Sequence, residues 1–287
     1  MPQGHYENFP VASVLCPPRI RPAVVAIYHF ARTADDLADE GDASPEDRLA
    51  LLAEYRGDLI DALANRSASQ RWPQVFAGLQ RQADAHALPG QPLHALLDAF
   101  EQDVRNPPYP DRASLLHYCE RSANPVGRLL LHLYGVHDPL ALRRSDDICT
   151  ALQLINFWQD LSRDGPRGRC YVPECDRLSH GVDAQDLATA TDSPAARRLV
   201  QTLTTWAVAT MNQGAPLATN LPGRIGWELR LVVQGGLTIA SKLRQRGFDS
   251  LVHRPKLNVW DTPGLLWRAA TMRHSPHAAT ALDTPTR

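Results

Sequence analysis

The sequence predicts an all-α fold in a single domain, and three observations carry that prediction. Apolar residues recur at three- and four-residue spacing in segment after segment, while the alternation that marks a half-buried strand is sparse. Prolines cluster where those segments start or stop. No tandem repeat and no linker divides the 287 residues, a length that buries a substantial core. The domain is expected over residues 1–275. Residues 276–287, small, polar and proline-containing, are expected to form a disordered tail.

The elements follow in order. Pro17-Pro18 opens a helix from about 18 to 40, which Gly41 ends. Ser44-Pro45-Glu46-Asp47 is an N-cap with proline at the first helical position. The helix it starts runs to about 64, with Leu49, Leu52, Leu59 and Leu63 on its buried side. Further helices are expected over 73–86, 91–104 and 112–122. Asn124-Pro125 then breaks or kinks the chain before 126–135. A long helix covers 139–163. Residues 165–183, GPRGRCYVPECDRLSHGVD, form a loop with a short extended piece. Helices resume over 184–190, 194–219 and 223–247, and a short last one covers 263–273.

Composition narrows the function. A formal charge of −1 suggests neither a nucleic-acid footprint nor an acidic tail. Cys16, Cys119, Cys149, Cys170 and Cys175 are odd in number and form no CxxC pair, so reduced thiols are expected. The dispersed histidines mark no zinc site. The opening MPQGHYENFP lacks the pattern of a signal peptide, and no apolar run approaches the ~20 residues of a membrane span. A cytoplasmic protein is expected, with peripheral contact at the inner face of the membrane left open.

Two acidic stripes stand out. ARTADDLADEGD at 31–42 puts Asp35, Asp36, Asp39, Glu40 and Asp42 into eight positions. On a helix Tyr28, Arg32, Asp35 and Asp39 share an arc of ~60°, with Asp36 beside them. A solvated helix end is one reading. Against it, acids at a helix C-terminus oppose the macrodipole and repel one another at i,i+4. Mg²⁺ would resolve both, because it takes carboxylate oxygens. The second stripe lies in ALQLINFWQDLSRDG at 151–165, where Gln153, Asn156, Asp160 and Asp164 are spaced three, four and four. Leu152, Leu154, Ile155, Phe157, Trp158 and Leu161 surround it. Buried carboxylates need metal or basic partners. Set antiparallel across a cavity, the two helices would offer about four carboxylates to a diphosphate-metal cluster. Arg32, Arg169 and Arg254 are the candidate cations for diphosphate; Arg167 and Lys256 read better as surface charges.

AIYHFARTADDLADE, YCERSANPVGRLL, QLINFWQDLSRD and RGRCYVP occur together and in this order. The chain thereby resembles the squalene/phytoene synthase family over roughly residues 5–260. Tyr28 and Arg32 fall in the first aspartate-rich motif. Tyr118, Ala123, Val126 and Gly127 fall in the Tyr-Cys element, and Gln153, Asn156, Asp160 and Asp164 in the second aspartate motif. The resemblance implies an isoprenoid-synthase helical bundle around a central apolar cavity. It also implies Mg²⁺-dependent ionisation of an allylic or cyclopropylcarbinyl diphosphate.

GHYENFPVAS replaces the His-Ser-x-Ser-Phe that many members carry, and with SANPVG and HRPKL it resembles the hopanoid-associated branch that forms hydroxysqualene. That branch implies presqualene diphosphate as substrate, water as the capturing nucleophile and no NADPH. Asp35, Asp36, Asp39, Asn156, Asp160 and Asp164 would bind Mg²⁺. Gln153, Arg32, Arg169 and Arg254 would serve the diphosphate. Tyr28 and Tyr118 would stabilise cation charge through their ring faces, Tyr118 also as a proton shuttle. Glu7 and Asn8 would hold the water or, alternatively, cap the first helix. A presqualene diphosphate synthase handing over substrate and peripheral membrane contact are the partners considered, and GLLWRAATMRH reads either as a packed terminal helix or as an interfacial one. The rivals are a head-to-head prenyltransferase making presqualene diphosphate, squalene or phytoene, and a non-catalytic assembly factor.

Overall fold

The computed structural model describes residues 16–66 and 68–272. Glu7, Asn8 and the expected tail lie outside the described residues. Helix α1 (Arg21–Asp39) starts three residues later than expected. Pro17 opens a turn instead, its carbonyl accepting from both Ile20 and Arg21 N–H at 3.1 Å, and Pro22 takes the first helical turn. Helix α2 (Pro45–Leu63) begins as its sequence predicts: Ser44 Oγ accepts the Asp47 N–H at 3.1 Å. Leu52 and Leu59 are fully buried, whereas Leu49 and Leu63 sit at the rim. Helices α3 (Pro73–His86) and α4 (Gly90–Arg105) complete the first half. Its core gathers Phe30, Tyr55, Phe76 and leucines of α2, α3 and α4. Tyr55 stacks on Phe30 at 5.4 Å and donates its O–H to the Phe30 carbonyl, satisfying its one polar group.

Helix α5 (Arg112–Ser122) is capped by Asp111, and α6 (Asn124–Leu133) carries Pro125 in its first turn, where the missing N–H costs nothing. The 26-residue α7 (Pro139–Asp164) is the spine of the second half, capped by Asp138 through the Ala141 N–H at 2.8 Å. Helix α6 approaches it so closely at Gly127 that a Cβ there would lie 2.5 Å from Ser145 Oγ and 2.6 Å from Cys149 Sγ. The SANPVG motif thus has a packing reason for its glycine.

The 165–183 connection contains no strand. It holds a 3₁₀ turn (Gly165–Arg167) and one short helix, α8 (Glu174–Ser179), and α9 (Ala184–Ala188) follows it, two residues shorter than expected. Backbone bonds from Glu174 to Tyr109 and from Cys175 to Pro110 tie it to the α4–α5 loop. The single helix expected over 194–219 is two: α10 (Pro194–Gly214) stops, and α11 (Pro216–Asn220) restarts at a proline that cannot continue the ladder. Helix α12 (Gly223–Gln245) follows, then a 3₁₀ turn (Val259–Asp261) running into α13 (Thr262–Thr271). Trp158, Met211 and the leucines of α7, α10 and α12 form the second core. Among the described residues no helix is long and apolar enough to cross a membrane, and the five cysteines are free.

Candidate active site

Helix α1 packs on α2, α3 and α4; α7 packs on α5, α6, α10 and α12. The acidic stripes therefore belong to different halves, and their C-terminal ends meet. Arg169 joins them. Its guanidinium pairs with Asp39 on α1 while its backbone N–H bonds the Asp164 carbonyl at 2.9 Å. The loop that presents it is shaped by Gly168 at φ +75°, a left-handed turn suited to glycine. Asn106, at the end of α4, fixes that turn by donating to the Gly168 carbonyl at 2.8 Å.

At the α1 end, Arg32 gathers its own helix's acids. It lies 2.8 Å from Asp35, 2.5 Å from Asp36 and 2.9 Å from Glu40. The spacing of three and four makes this fan possible, and it removes the repulsion that had argued for an external cation. Tyr28 is half-buried one turn earlier, edge-on to His29.

At the α7 end, Arg254 pairs with Asp160, and its second nitrogen lies 3.3 Å from the other carboxylate oxygen. Gln159 holds the HRPKL loop in place by donating to the Pro255 carbonyl at 2.6 Å. Asp164 is pushed up to about 6, first by burial and then by Asp160, with Arg169, Arg167 and Arg254 opposing. Gln153 and Asn156 continue this stripe toward the helix N-terminus, both half-buried. Arg167 and Lys256 are exposed, as expected.

Tyr118 lies in a cage of rings rather than near Tyr28. Tyr109, Tyr171 and Phe157 stand 5.7, 5.8 and 6.2 Å from it, and Tyr171 stacks on Phe157 at 3.9 Å. No ring contact joins Tyr28 to Tyr118 among the described residues. The Tyr118 O–H donates to Asp103 at 2.7 Å. Asp103 is pushed up to about 7, first by burial, with Asp39 and Asp35 adding to it and Tyr118 and Arg169 opposing. Asp103 thus belongs electrostatically to the α1 end and to Arg169. Its only sequence signal is its place on the apolar stripe of Leu96, Ala99 and Phe100.

Among the described residues no three His, Cys, Asp or Glu side chains form a ready metal cage. Arginines share the acids instead. The donor set nevertheless fits Mg²⁺ in kind, since Asp35, Asp36, Asp39, Asn156, Asp160 and Asp164 all offer oxygen. Two open hollows lie elsewhere. One of about 370 Å³ is lined by Gln102, Tyr109 and Arg121, and one of about 1210 Å³ runs between α5, α6, α7 and α10. Neither is lined by an acid of the two stripes.

A family model described as squalene/phytoene synthase matches residues 2–261. A hydroxysqualene synthase of Zymomonas mobilis is 35% identical over 277 residues, covering 94% of this chain and 90% of that protein. The presqualene diphosphate synthase of the same organism is 27% identical, covering 90% and 82%. The crystal structure of the squalene synthase HpnC from Alicyclobacillus acidocaldarius superposes with a TM-score of 0.77 at 35% identity, covering 85% of this chain and 90% of that one.

Proposed function

The chain belongs to the squalene/phytoene synthase family, and from that premise we propose that it converts presqualene diphosphate and water into hydroxysqualene and diphosphate. The observation that carries a diphosphate substrate is Arg169, whose guanidinium pairs with Asp39 at one acidic helix end while its backbone N–H bonds Asp164 at the other. Greater similarity to a hydroxysqualene synthase than to a presqualene diphosphate synthase supports the choice of reaction.

The carbon–oxygen bond to diphosphate breaks, and the leaving group takes the electron pair. Mg²⁺ held by Asp35, Asp36, Asp39, Asn156, Asp160 and Asp164 would supply charge neutralisation of that leaving group. Arg169 and Arg254 exchange Asp39 and Asp160 for phosphate oxygens, with Arg32 and Gln153 beside them. Both arginines are already placed, so little reorganisation is needed when charge develops. The cyclopropylcarbinyl cation opens to an allylic cation, and a water oxygen forms the new carbon–oxygen bond.

Tyr28 and Tyr118 face cation charge with their rings. The proton released by water passes to the Tyr118–Asp103 pair, because a carboxyl near neutrality both accepts and returns a proton. Glu7 and Asn8 are assigned to holding the water.

Supplying presqualene diphosphate and Mg²⁺ without nicotinamide, followed by mass spectrometry, tests the proposal. Hydroxysqualene is the expected product. Consumption of farnesyl diphosphate alone would instead assign head-to-head prenyl transfer.

A further inference from the structure

The last described segment is unlike the rest of the surface. Trp260 and Trp267 are 88% and 71% exposed, and Val252, Leu257, Val259 and Leu266 are exposed with them. Soluble monomers rarely display two tryptophans in this way without a use for them. Val259 and Leu266 are seven residues apart, as are Trp260 and Trp267. A 3₁₀ turn that continues into α13 returns each pair to about the same side. The opposite side is occupied. Ala269 is fully buried, Arg268 donates to Thr238 on α12 at 2.7 Å, and Gln234 of α12 reaches Met272.

The turn is held firmly. Asn258 Oδ1 accepts the Trp260 N–H at 2.9 Å, Asp261 accepts the Asn258 N–H at 2.7 Å, and Lys242 pairs with Asp261 at 2.7 Å. The apolar side chains are thus presented by a capped, anchored element.

Charge identifies what covers them. Between residues 242 and 272 stand Lys242, Arg244, Arg246, Arg254, Lys256 and Arg268 against only Asp249 and Asp261, in a chain whose net charge is −1. Tryptophan beside a basic rim is the composition that settles at a lipid–water boundary, with the ring at headgroup depth and cations on anionic headgroups. We infer that Val259, Trp260, Leu266 and Trp267, with Lys242 and Lys256 beside them, dock this protein on an anionic bilayer. The HRPKL loop runs from this surface to Arg254 and Asp160, so docking sets the α7 acidic end close to the membrane. That link to a lipid substrate rests on the function proposed above; the docking itself does not.

Sedimentation of the full chain with vesicles, in the absence of any substrate, tests it. Binding is expected to vesicles containing phosphatidylglycerol, and weaker binding to phosphatidylcholine alone. The double variant Trp260→Ala/Trp267→Ala should partition at least ~10-fold less. Lys256→Gln should lose about fivefold, the scale of one basic residue at an anionic surface. If circular dichroism finds the double variant unfolded, Val259→Asp takes its place with the same expected direction. Wild-type protein left in the supernatant with phosphatidylglycerol vesicles would overturn the inference, as would undiminished binding of the folded variants. A dimer that the tryptophan variant abolishes, without vesicle binding by the wild type, would assign the surface to a second copy of this chain and also overturn it. Because vesicle binding is read without turnover, a wrong substrate and a wrong docking surface are told apart.

Discussion

The two acidic helix ends hold their charge in different ways. At the end of α1 the acids are open to water, Asp36 at 41%, and a single arginine from the same helix gathers three of them. At the end of α7 Asp160 is 15% exposed, and its partner Arg254, 11% exposed, comes from a loop 94 residues later. One end is a local ion cluster that would form on an isolated helix. The other exists only when the second half has folded. Exposed pairs contribute little because water screens them, whereas breaking a buried pair strands a charge.

The largest expected effect follows directly. Arg254→Ala leaves Asp160 without its cation and should cost about 3 kcal/mol in urea unfolding. Arg32→Ala should cost less than about 1 kcal/mol. Equal losses would erase the distinction between the ends. Next in size is turnover: Asp160→Asn should lower it at least ~10²-fold in saturating Mg²⁺, the scale of one lost electrostatic stabiliser. Asp36→Asn should lose only about 10-fold, because its charge is screened. Steady-state rates on one substrate give both values, and near-normal turnover for Asp160→Asn would remove that residue from the chemistry.

The smallest effect concerns Asp103, which feels the acids of the α1 end. Its unfolded value is near 3.8 and its folded value about 7, so within that window the folded protein keeps a proton that the unfolded chain has lost. Stability therefore falls as pH rises from about 4 to about 7, and the loss is complete above that. Asp103→Asn still accepts from Tyr118 but has no charge to bury. Its melting temperature relative to wild type should rise by about 2–4 °C between pH 6 and pH 7, for roughly 1 kcal/mol. A difference independent of pH would mean that Asp103 is not raised.

The same contrast explains what was legible in the sequence. Both acidic stripes could be read because three- and four-residue spacing is a property of one helix. The helices were also legible to within a few residues, since caps such as Ser44 and Asp138 act locally. The arginine partners could be named only as candidates, because the pairs Arg169–Asp39 and Arg254–Asp160 join residues 130 and 94 apart. Asp103 was missed because a lone acid on an apolar stripe has no spacing to announce it. The six residues of α8 are too few for periodicity to show, and the break at Pro216 was hidden by an apolar pattern that continues across it. The pairing of Arg32 with Asp35 and Asp36 on its own helix is visible only in side-chain positions.

The central claim is that the two ends act on one diphosphate. Calorimetric binding of inorganic pyrophosphate with Mg²⁺ to wild type, Asp39→Asn, Asp160→Asn and the double variant measures it most directly. A shared ligand predicts that the second substitution weakens binding far less in the presence of the first, a coupling of about 1 kcal/mol or more. Losses that simply add, or a pyrophosphate affinity indifferent to either aspartate, would contradict it.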